Sequence, residues 1–110
     1  MKIAIIGLGL IGGSLGRTIV KKTDDEVYAF DINSHAMVEG KLLSAYHKPL
    51  TKENICEMDM VFFSLYPDVL EVALEEYCPL LKDGALVVDC CGNKRRVTKQ
   101  MQDLSKVYSG

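Results

Sequence analysis

The 110-residue sequence has no tryptophan, only three prolines and two histidines, and no excess of either charge. Thirteen Lys and Arg against fifteen Asp and Glu leave a formal charge of −2. Such a balance provides no electrostatic footprint for nucleic acid or for an anionic membrane surface. The longest basic cluster, Lys94-Arg95-Arg96, is too short to act as a binding tail. No apolar run approaches the roughly 20 residues of a membrane-spanning helix. Met1-Lys2-Ile3 leads straight into a strand-like segment with no signal-peptide pattern. The four cysteines, Cys56, Cys78, Cys90 and Cys91, form no C-x-x-C pair and no zinc spacing. Adjacent Cys90 and Cys91 point to opposite faces if extended, which makes them poor bridge partners. Reduced thiols in a cytoplasmic protein is the expectation.

What is present is glycine, concentrated in one place. Gly7, Gly9, Gly12, Gly13 and Gly16 fall within ten residues, directly after the apolar run Ile3-Ala4-Ile5-Ile6. Hydrophobic residues make up 48% of the chain, enough for one domain with a real core.

Strand-like and helix-like segments alternate along the chain. Residues 2–6 suit a strand buried on both faces. Residues 10–22 repeat apolar or small residues at helical spacing: Ile11, Leu15 and Ile19, with Gly12, Gly16 and Val20. Val27–Phe30 is a second strand closed by Asp31, and Ser34 is placed to cap a helix running to about Leu43. Residues 45–58 are broken by Pro49, and Thr51 with Asn54 suggests one short turn. Met60–Leu65 is the central strand. A helix capped by Asp68 follows, with Leu70, Ala73, Leu74 and Tyr77 on one face. Ala85–Val88 is another buried strand, and Val97, Met101 and Leu104 mark a last helix from about Lys94. Apolar strands alternating with helices predict an α/β fold, a Rossmann-type doubly wound parallel sheet in three αβα layers. Ligands of such sheets bind beyond the strand carboxyl ends, where the strand order reverses.

Gly7-Leu8-Gly9-Leu10-Ile11-Gly12 matches G-x-G-x-x-G between a strand and a helix. Gly7 permits the tight turn, Gly9 lets backbone approach a pyrophosphate, and Gly12 lets the helix press on the sheet. Helix N–H groups then face the phosphate charge. Asp31, ending the second strand, is placed to accept hydrogen bonds from both ribose hydroxyls of an adenosine. It would also repel a 2′-phosphate, and Ile32-Asn33-Ser34 has no arginine to counter that, so NAD is favoured over NADP. The plain alternative is a glycine-rich turn that binds nothing, with Asp31 as a helix-capping acid. At the third corner, Leu65, Tyr66 and Pro67 form a candidate wall beside a nicotinamide, or simply a helix start.

These stretches, "IIGLGLIGGSLG", "DIN", "MDMVFFSLYP" and "LLKDGALVVDCCGNK", follow one another in an order that resembles the N-terminal nucleotide-binding domain of prephenate/arogenate dehydrogenases. The doubled Gly12-Gly13 before Ser14-Leu15 and the D-x-x-x-x-K run from Asp89 to Lys94 carry the likeness beyond the general fingerprint, and it extends over essentially the whole chain. The resemblance implies oxidative decarboxylation of prephenate or arogenate with hydride transfer to NAD, in tyrosine biosynthesis. Two departures stand out. Gly92 takes the place of a serine common in the D-x-x-S-x-K loop. The family's histidine motif lies beyond Gly110, while His35 and His47 sit where surface residues belong. The expectation is therefore a fragment, residues 1–110, that binds cofactor without turning over substrate. No catalytic residue is assigned within it, and Lys94 is the candidate substrate-side cation. The helical domain that completes the pocket and forms a homodimer would lie outside. No metal site is expected, and Cys90 and Cys91 are read as packing residues. Two alternatives stay open: another NAD(P)-dependent reductase of the hydroxyacid or pyrroline-carboxylate type, and an NAD(H)-sensing regulatory module.

Overall fold

Short runs of Ile, Val, Ala and Phe become strands, and the helix-periodic stretches between them become helices, in a computed structural model that describes residues 1–90. The expected helix from Lys94, together with Lys94 itself, Cys91 and Gly92, lies outside the described residues. The elements are β1 (Lys2–Ile6), α1 (Leu10–Lys22), β2 (Glu26–Phe30), α2 (Ser34–Leu42), β3 (Lys48–Pro49), β4 (Met60–Phe63), α3 (Pro67–Tyr77) and β5 (Leu86–Asp89). Single 3-10 turns at Ile55–Glu57 and Cys78–Leu80 precede β4 and follow α3.

All strand pairs are parallel, in the order β3-β2-β1-β4-β5. The chain runs outward from β1 to β3, then crosses back to lay β4 on the other side of β1. Strand order therefore reverses between β1 and β4, which opens a crevice beyond their carboxyl ends. Side chains alternate between two covered faces, as a strand period of two requires. Ile5, Val27, Ala29 and Phe62 pack with Leu15, Ile19 and Val20 of α1 and with Ala36 and Met37 of α2. Ala4, Ile6, Tyr28, Val61 and Phe63 pack with Leu70, Ala73 and Leu74 of α3. The expected Rossmann-type sheet, layered αβα, is the fold. Phe63, Ile5, Leu70 and Leu74 are fully buried, and each such side chain contributes roughly 1.5–3 kcal/mol relative to exposure.

Several local expectations shift. The central strand ends at Phe63 rather than Leu65, and the last described strand is Leu86–Asp89 rather than 85–88. Asn33, not Ser34, caps α2: its side chain accepts the N–H groups of His35 at 2.9 Å and Ala36 at 3.3 Å. Asn and Ser cap about equally well, so composition could not choose between them. Tyr66 holds the cap position of α3 with no side-chain bond, and Asp68 lies in the first turn, where its charge suits the helix dipole. Ile11 is mostly exposed, so the buried stripe of α1 runs through Gly12, Leu15, Gly16 and Ile19.

The stretch 45–58 holds more than a turn. Thr51 and Asn54 do bond reciprocally, N–H to side-chain oxygen each way, at 2.8 and 3.2 Å. Before them, Lys48 and Pro49 add a strand at the sheet edge, a position where a proline without an N–H is tolerated. His47 anchors it: its N–H donates to the Val27 carbonyl at 2.8 Å, and its Nδ1 accepts the Val27 N–H at 3.0 Å.

Candidate functional site

The glycine turn is shaped by contacts that leave no room for a side chain at two of its positions. Gly7 has φ +100°, and a Cβ there would lie 2.2 Å from the Ser64 carbonyl oxygen. A Cβ on Gly12 would lie 1.9 Å from the Gly7 carbonyl oxygen and 3.2 Å from the Ser64 Cβ. The turn is thus wedged between β1 and the end of β4, at the reversal of strand order. Hydrogen bonds from Gly7 N–H to Phe30 and from Ser64 N–H to Ile6, both 2.8 Å, extend the ladders to this point.

Gly9 differs. A Cβ there would meet nothing within 4 Å, so packing does not explain the missing side chain. Gly9 caps α1 without any side-chain bond, and the first turn of that helix carries no acid. Its leading N–H groups have no partner within the helix. Open space, bare backbone and the positive helix end together suit an anionic pyrophosphate, so the residues present fit a dinucleotide.

Asp31 closes the site on the β2 side. Its Oδ2 accepts the Leu8 N–H at 2.7 Å and its Oδ1 accepts the Asn33 N–H at 2.8 Å. The carboxylate therefore ties the glycine turn to the start of α2, and each oxygen retains capacity for a further donor. Its own N–H faces the Met37 Sδ at 3.2 Å. Sequence reasoning missed Ser64, Asn33 and Met37. Asn33 was legible as a capping residue, whereas Ser64 and Met37 carry no local signal.

The predicted site residues fall into two sets. Gly7, Leu8, Gly9, Gly12 and Asp31 come together around the turn, with Leu8 buried. Leu10 and Ile11 stand exposed on the first turn of α1. Leu65 is half-buried beside Gly7, and its Cδ2 would be 3.0 Å from a Cβ there. Tyr66 is 81% exposed at the mouth of the crevice, and Pro67 opens α3. Cys90 N–H reaches the Phe63 carbonyl at 2.9 Å, which brings the fourth corner alongside the third.

The histidines stay outside this arrangement. His35 is exposed, 3.5 Å from the Glu39 carboxylate, and His47 serves the sheet edge. Burial pushes the Cys78 thiol up to about 11. Burial and the Asp89 charge also raise that of Cys90, so both are protonated, unreactive thiols at neutral pH. Among the described residues no cluster of metal-ligating side chains occurs, and no helix is long and apolar enough to cross a membrane.

The family model described as prephenate dehydrogenase, nucleotide-binding domain, matches residues 15–109. That stretch begins after Gly12, so it and the glycine motif are separate signals. A search of curated proteins finds no match. Among solved structures, arogenate dehydrogenase from Synechocystis superposes with a TM-score of 0.88 at 19% identity, covering 98% of this chain and 39% of that one. Prephenate dehydrogenase from Aquifex aeolicus gives 0.74 at 19% identity, over 96% of this chain and 38% of the other. The 3-hydroxyisobutyrate dehydrogenase of Mycobacterium tuberculosis gives 0.79 at 19% identity, over 94% and 37%. The chain thus spans well under half the length of these relatives, and at such identities the likeness establishes the fold. With the family match covering most of its length, the chain belongs to the prephenate dehydrogenase nucleotide-binding domain family.

Proposed function

We propose that this chain binds the dinucleotide of a prephenate or arogenate dehydrogenase, with NAD preferred over NADP. The observation that carries the reading is the open space over Gly9, bounded by the Asp31 carboxylate and by the first N–H groups of α1. When bound, NAD supplies the hydride acceptor for oxidative decarboxylation of the substrate. Residues 7–12 hold its pyrophosphate through backbone N–H groups, and Asp31 accepts the ribose hydroxyls while keeping the turn closed. Ile32, 94% exposed beyond β2, and Tyr66, beyond β4, offer apolar surface to flat rings lying across the strand ends. Leu65, Tyr66 and Pro67 border the nicotinamide half at the crevice. Lys94 is the cation assigned to a substrate carboxylate, and no residue of this chain is assigned the proton-transfer role.

On this reading the whole enzyme is a cytoplasmic homodimer and residues 1–110 act as its cofactor domain. The experiment is calorimetric titration of the chain with NAD, paired with a prephenate and arogenate turnover assay. Binding without turnover is the expected result. Full turnover by the 110 residues overturns the fragment reading, and absence of NAD binding overturns the site. A hydroxyacid dehydrogenase is the second reading, because the glycine turn and Asp31 serve any such enzyme equally. Turnover of 3-hydroxy acids in place of prephenate by a longer natural chain would select it.

A further inference from the structure

β2 ends at Phe30, so the Asp31 N–H lies past the strand ladder, and the acceptor it finds is the Met37 Sδ at 3.2 Å. A thioether is a weak acceptor, yet this one is firmly held. One helical turn after Asn33, the Met37 N–H donates to the Asn33 carbonyl at 3.2 Å, and the Met37 carbonyl accepts the Tyr46 hydroxyl at 2.7 Å. Its side chain packs against the buried cluster of Val27, Ala29, Ala45 and Tyr46. Asp31 is therefore gripped at three points: Leu8 and Asn33 hold the carboxylate, and Met37 holds the backbone behind it. Of the three, only the sulfur can be altered by a mild oxidant. Met37 is half-buried, whereas Met58 is fully enclosed, and Met1 and Met60 lie at the opposite, amino-terminal end of the sheet.

We propose that Met37 is a positioning residue for Asp31, and that its oxidation by a hydroperoxide weakens dinucleotide binding. The inference rests on the dinucleotide reading of the glycine turn. A sulfur lone pair attacks hydrogen peroxide, and an S–O bond forms as the O–O bond breaks. The proton of the transferred oxygen passes to the departing hydroxide, which leaves as water. Sulfur is oxidised by two electrons to the sulfoxide, and the peroxide is reduced. At 3.2 Å the sulfur and the Asp31 nitrogen already touch, so no oxygen fits between them. An oxygen on the other lone pair must leave the apolar cluster to be solvated. Either product turns the side chain away from the Asp31 N–H and loosens the carboxylate that it backs.

The test is titration with NAD before and after hydrogen peroxide, on the unaltered protein, on Met37→Leu and on Asp31→Ala, with the oxidised residues identified by peptide mass spectrometry. The unaltered protein is expected to lose about tenfold in affinity, the equivalent of one hydrogen bond to a charged group. Methionine sulfoxide reductases should restore it. Met37→Leu, similar in volume but without sulfur, binds NAD slightly more weakly than the unaltered protein and does not respond to peroxide, although Met1 and Met60 remain oxidisable in it. In Asp31→Ala peroxide has no further effect, because the loss runs through that carboxylate; a purely structural role for Met37 would weaken this variant as well. Peroxide sensitivity that persists in Met37→Leu or in Asp31→Ala overturns the proposal. So does a Met37 that resists peroxide, or unchanged affinity once Met37 is oxidised. If the untreated protein binds no NAD, the dinucleotide reading itself fails and this inference falls with it.

Discussion

The Asp31 carboxylate accepts the Leu8 N–H at 2.7 Å, joining the end of the second strand to the middle of the glycine turn. One side chain thus holds the cradle in shape and, in the proposed function, also accepts the ribose hydroxyls. The two roles separate under substitution. Asp31→Ala is expected to weaken NAD binding about tenfold or more and to narrow the gap to NADP, as titration calorimetry would read. It should also cost about 1–3 kcal/mol of stability, because the Leu8 N–H loses its acceptor. Unchanged affinity for both nucleotides removes Asp31 from the site.

Gly9 and Gly12 should respond in opposite ways to the same methyl group. Gly12→Ala drives a Cβ to 1.9 Å from the Gly7 carbonyl oxygen and is expected to cost of order 3 kcal/mol or more by overpacking. Gly9→Ala meets no protein atom within 4 Å, so its melting temperature should stay unchanged while its NAD affinity falls. A Gly9→Ala protein that binds NAD normally would show that the open space is not the pyrophosphate seat.

His47 carries the edge strand through both of its bonds to Val27. His47→Ala leaves the fully buried Val27 without an acceptor for its N–H, a loss of about 1–3 kcal/mol. Chemical denaturation should register it with NAD affinity intact, since His47 bonds near the start of β2 and the candidate site lies beyond its carboxyl end.

Acid stability depends on carboxylates at the amino-terminal end of the sheet. Asp59 is held below its ordinary pKa by a hydrogen bond from Lys82 and by the Lys2 backbone N–H at 2.7 Å. Glu57 is likewise lowered by its bond to Lys2, whose own pKa is raised. A depressed carboxylate stabilises the fold above its unfolded pKa and loses that contribution as pH falls through the folded value. Lys82→Met should therefore melt slightly below the unaltered protein at neutral pH. The difference should close below about pH 4 as Asp59 takes up its proton. A difference that persists at low pH would assign Lys82 a packing role instead.

Fold class was legible because apolar runs flanked by helical periodicity admit few arrangements. The glycine turn was legible because its spacing falls at a strand-to-helix junction, although the contacts with Ser64 that exclude a side chain at Gly7 were not. Element boundaries and caps were not. Asn33 and Ser34 are near-equal caps by chemistry, and only the turn held by Asp31 and Asn33 selects one. The Lys48–Pro49 strand escaped notice because two residues have no periodicity and take their conformation from Val27 and Ala29 across the sheet.

By itself the sequence determined a parallel sheet with a dinucleotide turn at its first strand and an acid at the end of its second, because these follow from patterns along the chain. Tertiary structure alone decided that Ser64 walls the turn and that Gly9 faces open space while Gly12 does not. Those are contacts between residues far apart in sequence. They depend on the crossover that puts β4 beside β1 and on the packing of α1 against α2, which no local pattern encodes.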